Sequence, residues 1–234
     1  MVAVFKRELR SFFYSPVGYA YLAVYLFVSN GLFYICNIVT NSTDTVNYFN
    51  WVRYLLILTT PILAMKLFPE ERKNKTDQIL ITAPVSITGM VMGKFLAAYT
   101  LYIIGIIPTV FNMLFLATTG YLEVGIVVGN YIGLLFVGAA FLALAMFMSV
   151  LTESMITAFI MGVFSLGMFA LVDLLADTLN NTIVTQIVNA ISVTRRFEEF
   201  SQGLFNVASL VYFISLAVIF IFVTIRVIDK RRWS

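Results

Sequence analysis

The sequence predicts an all-α integral membrane protein with six transmembrane helices, and three observations carry that reading. Of 234 residues, 61% are hydrophobic and only 12% charged, about half the charge of an ordinary soluble domain. The apolar residues fall in long unbroken runs rather than amphipathic stripes. The cations collect on one side of the alternating runs, as the positive-inside rule describes for a polytopic chain. So little polar sequence remains that a single membrane domain, residues 1–234, is the expected organisation.

The elements follow in order. Residues 2–14 place Val2, Phe5, Leu9, Phe12 and Phe13 at helical spacing, with Lys6, Arg7, Glu8 and Arg10 between them. That is the pattern of an amphipathic helix lying in the membrane interface. Ser15-Pro16 breaks it and turns the chain into the bilayer. Spans are expected at about 16–39, 50–68, 94–118, 125–151, 155–178 and 204–226, each long enough for roughly 30 Å of hydrocarbon. Only Thr152-Glu153-Ser154 divides the fourth from the fifth, which reads as a tight turn. Pro61 and Pro108 fall inside spans two and three, where neighbouring helices can satisfy the carbonyls they free. The run from Pro16 to Val39 is too long for a signal-peptide core and no small-x-small site closes it, so no cleavable signal is expected.

Charge sets the orientation. With the N-terminus in the cytoplasm, the inner segments hold Lys6, Arg7, Arg10, Lys66, Arg72, Lys73, Lys75, Lys94, Arg226, Lys230, Arg231 and Arg232, twelve of the 15 cations; only Arg53, Arg195 and Arg196 fall outside. Both termini of a multi-pass protein of the cell membrane are therefore expected to be cytoplasmic. The cytoplasmic segment from Pro69 to Gly93 begins with Glu70-Glu71-Arg72-Lys73-Asn74-Lys75 and continues through Ile79 and Leu80 to Ala83-Pro84. This predicts a short helix at about 70–82, charged at one end and apolar at the other, suited to docking on a soluble partner. The external segment 179–203 scatters Ile183, Val184, Ile187, Val188, Ile191 and Val193 among polar residues. It reads as re-entrant helical structure before the last span.

Several chemistries are excluded. There is no histidine, and Cys36 is the one cysteine, so an intrachain disulfide and a His/Cys metal site are both ruled out. Gly93-Lys94 lacks the first glycine and the hydroxyl of a phosphate-binding loop, so no nucleotide or other cofactor is expected on this chain. No basic stripe with interleaved aromatics points to nucleic acid. Asp173 and Asp177 share one face of span five in its outer third. Ionisable groups inside a membrane are functional by default. Three roles are open: a structural ion pair with Arg53, a gate or contact on a substrate path, or proton coupling. Gly125, Gly129 and Gly133 form a small-residue ridge for helix packing, inside the subunit or at a dimer interface.

The stretch Leu67-Phe68-Pro69-Glu70-Glu71-Arg72, with Thr76, Leu80, Thr82-Ala83-Pro84-Val85-Ser86 and Gly93-Lys94-Phe95, resembles the loop between spans two and three of type-2 ABC exporter permeases. The opening Arg7-Glu8-Leu9-Arg10-Ser11-Phe12-Phe13 with Ser15-Pro16-Val17-Gly18-Tyr19 is similar to the gliding-motility and copper-oxidase-maturation branch. Lys75 departs from the pattern, where relatives often have glycine. The resemblance implies that 2–14 is the connecting helix and 70–82 the coupling helix. Glu71, Arg72, Thr76 and Leu80 would contact a separate ATPase subunit, which binds ATP and Mg²⁺. It also implies a homo- or heterodimer of permeases, no catalytic residue here, and an outer gate in 179–203. The apolar spans favour a lipid, hydrophobic peptide or lipid-linked substrate. Two other readings stand beside it: an assembly or signalling protein of the same fold, and a secondary carrier using Asp173 and Asp177.

Overall fold

In the computed structural model, which describes residues 1–73, 86–120, 122–178, 192–203 and 206–232, nearly every residue is helical. The expected coupling-helix residues Thr76 and Leu80, and the external stretch 179–191, lie outside the described residues. Ten α-helices are described: α1 (Val2–Tyr14), α2 (Pro16–Phe33), α3 (Val46–Leu67), α4 (Pro69–Lys73), α5 (Ile87–Ile106), α6 (Thr109–Thr119), α7 (Val124–Val150), α8 (Met155–Thr178), α9 (Val193–Ser201) and α10 (Val207–Arg232). A π-helical turn, Tyr34–Val39, extends α2. Asn37 then closes the connection to α3, donating to the carbonyls of Ser42 and Asp44 at 3.0 and 2.9 Å.

Five helical stretches are long and apolar enough to cross a membrane: Pro16–Val39, Val46–Lys73, Ile87–Thr119, Val124–Val150 and Val207–Lys230. The apolar part of α8 that is described, Met155–Leu171, is shorter. Large side chains such as Phe27, Phe111, Phe115, Phe164 and Phe222 point outward from these helices. Outward apolar surface on this scale suits lipid and not water. The chain is a multi-span helical membrane protein.

Helix α7 is the axis of the bundle, packed against α3, α8, α9, α10 and α5. Its small residues Ala140, Ala143 and Ala145 are buried and let these neighbours approach closely. Tyr102 and Tyr99 of α5 donate hydroxyl hydrogen bonds to the Leu134 and Leu135 carbonyls of α7, at 2.6 and 3.1 Å. Helices α7 and α10 run parallel. Ser209 near the start of α10 bonds Glu199 of α9, which lies over the start of α7, and Phe220 stacks beside Phe147 farther along both.

The start of the third span differs from the sequence expectation for a physical reason. Helix α5 starts at Ile87, not near 94, because Ser86 caps it by accepting from the Gly89 amide at 3.1 Å. Lys94 is therefore two turns inside a helix. The third span breaks at Ile107-Pro108, since Pro108 has no amide to continue the ladder. The Ile106 carbonyl, left open because the Val110 amide bonds Ile107 instead, accepts from the Thr109 hydroxyl at 2.7 Å.

The glycine ridge packs within the chain. A Cβ on Gly129 would meet the Phe200 carbonyl oxygen of α9 at 2.6 Å, and one on Gly133 would meet the Phe197 ring at 3.0 Å. Gly125 has nothing within 4 Å. Gly129→Ala is therefore expected to destabilise the protein by about 1–3 kcal/mol through overpacking against rigid backbone. Gly125→Ala is expected to be neutral or to gain up to about 1 kcal/mol from helix propensity. Reversible unfolding in mixed micelles distinguishes them; equal effects would mean that the ridge does not pack on α9.

Candidate functional site

Charges gather where α1, α3, α4 and α5 meet. Helix α1 lies across the start of α5, where a Cβ on Gly93 would touch Val4 and the Met1 carbonyl at 3.1 Å. Val4, Glu8 and Phe12 share the inward face of α1 at four-residue spacing and are buried. That face carries a carboxylate into the bundle opposite Lys94, whose side chain has no exposed surface.

The Lys94 ammonium has three protons and three acceptors. They are the Leu67 carbonyl at 2.6 Å, Glu71 Oε2 at 2.8 Å and Glu8 Oε1 at 3.4 Å. The Phe68 ring closes a further side, 5.1 Å from Nζ. Glu71 uses its other oxygen, Oε1, to accept from Arg7 at 2.7 Å, and Arg7 also pairs with Glu8. Lys66 of α3 donates to the Ser11 carbonyl of α1 and stands 3.9 Å from Glu70. Among the described residues, three cations thus face three carboxylates, and the network is neutral. Burial alone would lower the Arg7 pKa, but Glu8 and Glu71 outweigh it and hold the guanidinium above its ordinary value.

Arg72 points the other way. Its Nη1 donates to the carbonyls of Val150 and Thr152 at 3.3 and 3.2 Å, and its Nη2 pairs with Glu153 at 3.2 Å. It clamps the turn between α7 and α8, satisfying a carbonyl at the end of α7. Glu71 and Arg72 therefore fasten α4 to the bundle from both sides, and both use their charges inside the chain.

The opposite end of the bundle holds Arg53. Its guanidinium donates to the Thr194 hydroxyl and packs 4.3 Å from the Tyr54 ring centroid and 5.6 Å from that of Phe197. Among the described side chains it meets no carboxylate. Asp173 and Asp177 lie on the last turns of α8, and their side chains are outside the described set. Trp51 and Tyr54 share an apolar groove with Phe164, Met168 and Leu171 of α8. The α3 turn carrying Arg53 is thus beside the part of α8 that leads into Asp173.

Sequence reasoning missed Lys94, Glu8 and Lys66 as members of a site. The signals were a lone acid at an inward position of the first helix and a lysine in the first turns of an apolar run. Each demands a counter-charge, and each is the answer to the other. Each acid of the network stands beside a neighbouring cation. Among the described residues no cluster of His, Cys, Asp and Glu could hold a metal ion. What the geometry does is mechanical: it fixes α4 to α1 and α5. The sequence matches no known protein family and no curated protein.

Removing one partner from a buried pair leaves an uncompensated charge, at a cost of about 3–5 kcal/mol. Lys94→Met, which leaves Glu8 and Glu71 facing each other with Arg7 as their remaining described cation, is expected to destabilise toward the lower end of that range. Glu8→Gln should cost less, because Glu71 and the Leu67 carbonyl still hold the ammonium. Unfolding free energies in mixed micelles measure both. Equal, small losses would show that water reaches the network.

Proposed function

We propose that this chain is the membrane-spanning permease subunit of an ATP-driven exporter, working as a dimer with a separate ATPase subunit. The observation that carries the reading is the fastening of α4 by Glu71 and Arg72. The segment that leaves the membrane after the second span is tied through Lys94 to α1 and α5, and through Arg72 to the α7–α8 turn. A push on that segment from outside the membrane would be passed directly to four helices, α1, α5, α7 and α8. A partner that drives transport by moving a docked helix needs such a rigid connection.

Three further features support the reading. α8, helical through Thr178, is taken as a sixth span, so both chain ends lie on one side. The side carrying α1, α4 and the end of α10 holds most of the cations, which supports reading it as the cytoplasmic side. The chain also lacks a phosphate-binding loop of its own, so the energy source is a partner. On this reading Glu71 and Arg72 position the coupling segment, and Thr76 and Leu80 make the contact. The outer gate is assigned on this reading to 179–203, the segment that follows Asp173 and Asp177 in the chain.

Affinity purification of the tagged chain in mild detergent is the test. A stoichiometric P-loop ATPase is expected to co-purify, and Leu80→Asp should abolish its recovery and its stimulation while the permease stays folded. Glu71→Gln should lower both stimulation and stability, as a positioning residue does. Recovery of the chain alone, from membranes where crosslinking shows no larger complex, would overturn the proposal in favour of a carrier centred on Asp173 and Asp177.

A further inference from the structure

Helix α1 divides its surface three ways. Val4, Glu8 and Phe12 face the bundle. A second flank exposes Val2 and Phe13, with Phe5 and Leu9 half-buried between them. The third flank is a shallow groove of about 510 Å³ lined by Ala3, Lys6, Arg7, Arg10, Ser11 and Tyr14. Arg7 is already committed to Glu8 and Glu71. Lys6 and Arg10 are exposed and form no ion pair among the described residues. They stand one turn apart on one side of the helix, about 6 Å along its axis.

The depth of this groove follows from its neighbours. Ser15 joins α1 directly to α2, which is long and apolar enough to enter the bilayer. Phe13 packs edge-on against Tyr19, with ring centroids 6.4 Å apart, and Tyr14 stands almost fully exposed. Such aromatics settle at the headgroup level. Two uncompensated cations at that depth, beside an apolar flank, match a lipid with a negative headgroup and acyl chains below it.

We propose that the Lys6–Arg10 flank of α1 binds the phosphate-bearing headgroup of an anionic phospholipid, with the acyl chains lying along Val2 and Phe13. This rests on the membrane character of the chain and not on the exporter reading. Arg7, although in the same groove, is a structural cation and contributes little to lipid choice.

The full-length protein in a neutral detergent would be titrated with phosphatidylglycerol or with phosphatidylcholine of the same acyl chains, and bound lipid counted by native mass spectrometry. The wild type is expected to retain phosphatidylglycerol in preference. The Lys6→Gln, Arg10→Gln double variant should weaken that retention about 25-fold, about fivefold for each cation lost. The swap Lys6→Arg, Arg10→Lys should keep it, which guards against a misfolded double variant. Arg7→Gln should lower the melting temperature yet keep the preference. Equal retention of the two lipids, or a preference untouched in the double variant, would overturn the proposal. So would displacement of the lipid by equimolar inorganic phosphate, which would assign the flank to a free anion.

Discussion

An ammonium group with no exposed surface needs every one of its protons accepted, and the Lys94 side chain meets that demand with three elements at once. The Leu67 carbonyl comes from the end of α3, Glu71 from α4 and Glu8 from α1. The cost of burying a charge at the edge of an apolar bundle thus becomes a geometric instruction. Four helices must converge at one point, with α1 lying flat across α5. Phe68 and Phe12 each stand beside a lysine of the network. The amphipathic character of α1 then follows a division of labour. One face closes the ion network, and the remaining two lie on the outside of the bundle.

The rest of the bundle answers a different constraint, the need to bring backbones together without charge. α7 does this with small side chains. Glycines meet α9 at one end, and alanines line its second half. The two systems touch at the end of α7, where its terminal carbonyl is taken by Arg72. One five-residue helix, α4, therefore connects the polar network to the apolar axis. Its neighbouring residues Glu71 and Arg72 point to opposite partners, as adjacent positions on a helix must.

Much of this was legible in residue types alone, and the exceptions share a cause. Run lengths and outward apolar surface need no partner to be read, so the helical membrane character was visible from composition. The first helix was visible from the spacing of Val2, Phe5, Leu9 and Phe12, but not that Phe12 turns inward with Val4 and Glu8. A charge inside an apolar stretch is different. Its meaning depends on what stands opposite, and for Lys94 the answers lie in Glu8, Glu71 and Leu67, brought close only by the fold. A hydropathy reading moves the helix boundary away from such a charge, which is why the start of α5 at Ile87 was not anticipated. Glu71 illustrates the same limit. In sequence it belongs to a charged run that reads as a docking rim for a partner, whereas its carboxylate is spanned by Lys94 and Arg7. The glycine ridge could be recognised but not addressed: four-residue spacing shows that something approaches closely, not that it is α9.

The reach of the Lys94 contacts carries a consequence for how the protein is made. Glu8 and Lys94 are separated by 86 positions in the chain, so the latch cannot close until residue 94 has left the ribosome. Until then Glu8 and Glu71 lack the Lys94 ammonium, and α1 lacks that tether to α5. Insertion is therefore completed in two acts. Apolar runs partition first, each on its own hydrophobicity, and the ion network locks afterwards, when the third run delivers its lysine. A nascent chain halted before that point has its hydrophobic helices in place and its first helix untethered, an exposed and distinguishable state on which membrane quality control can act.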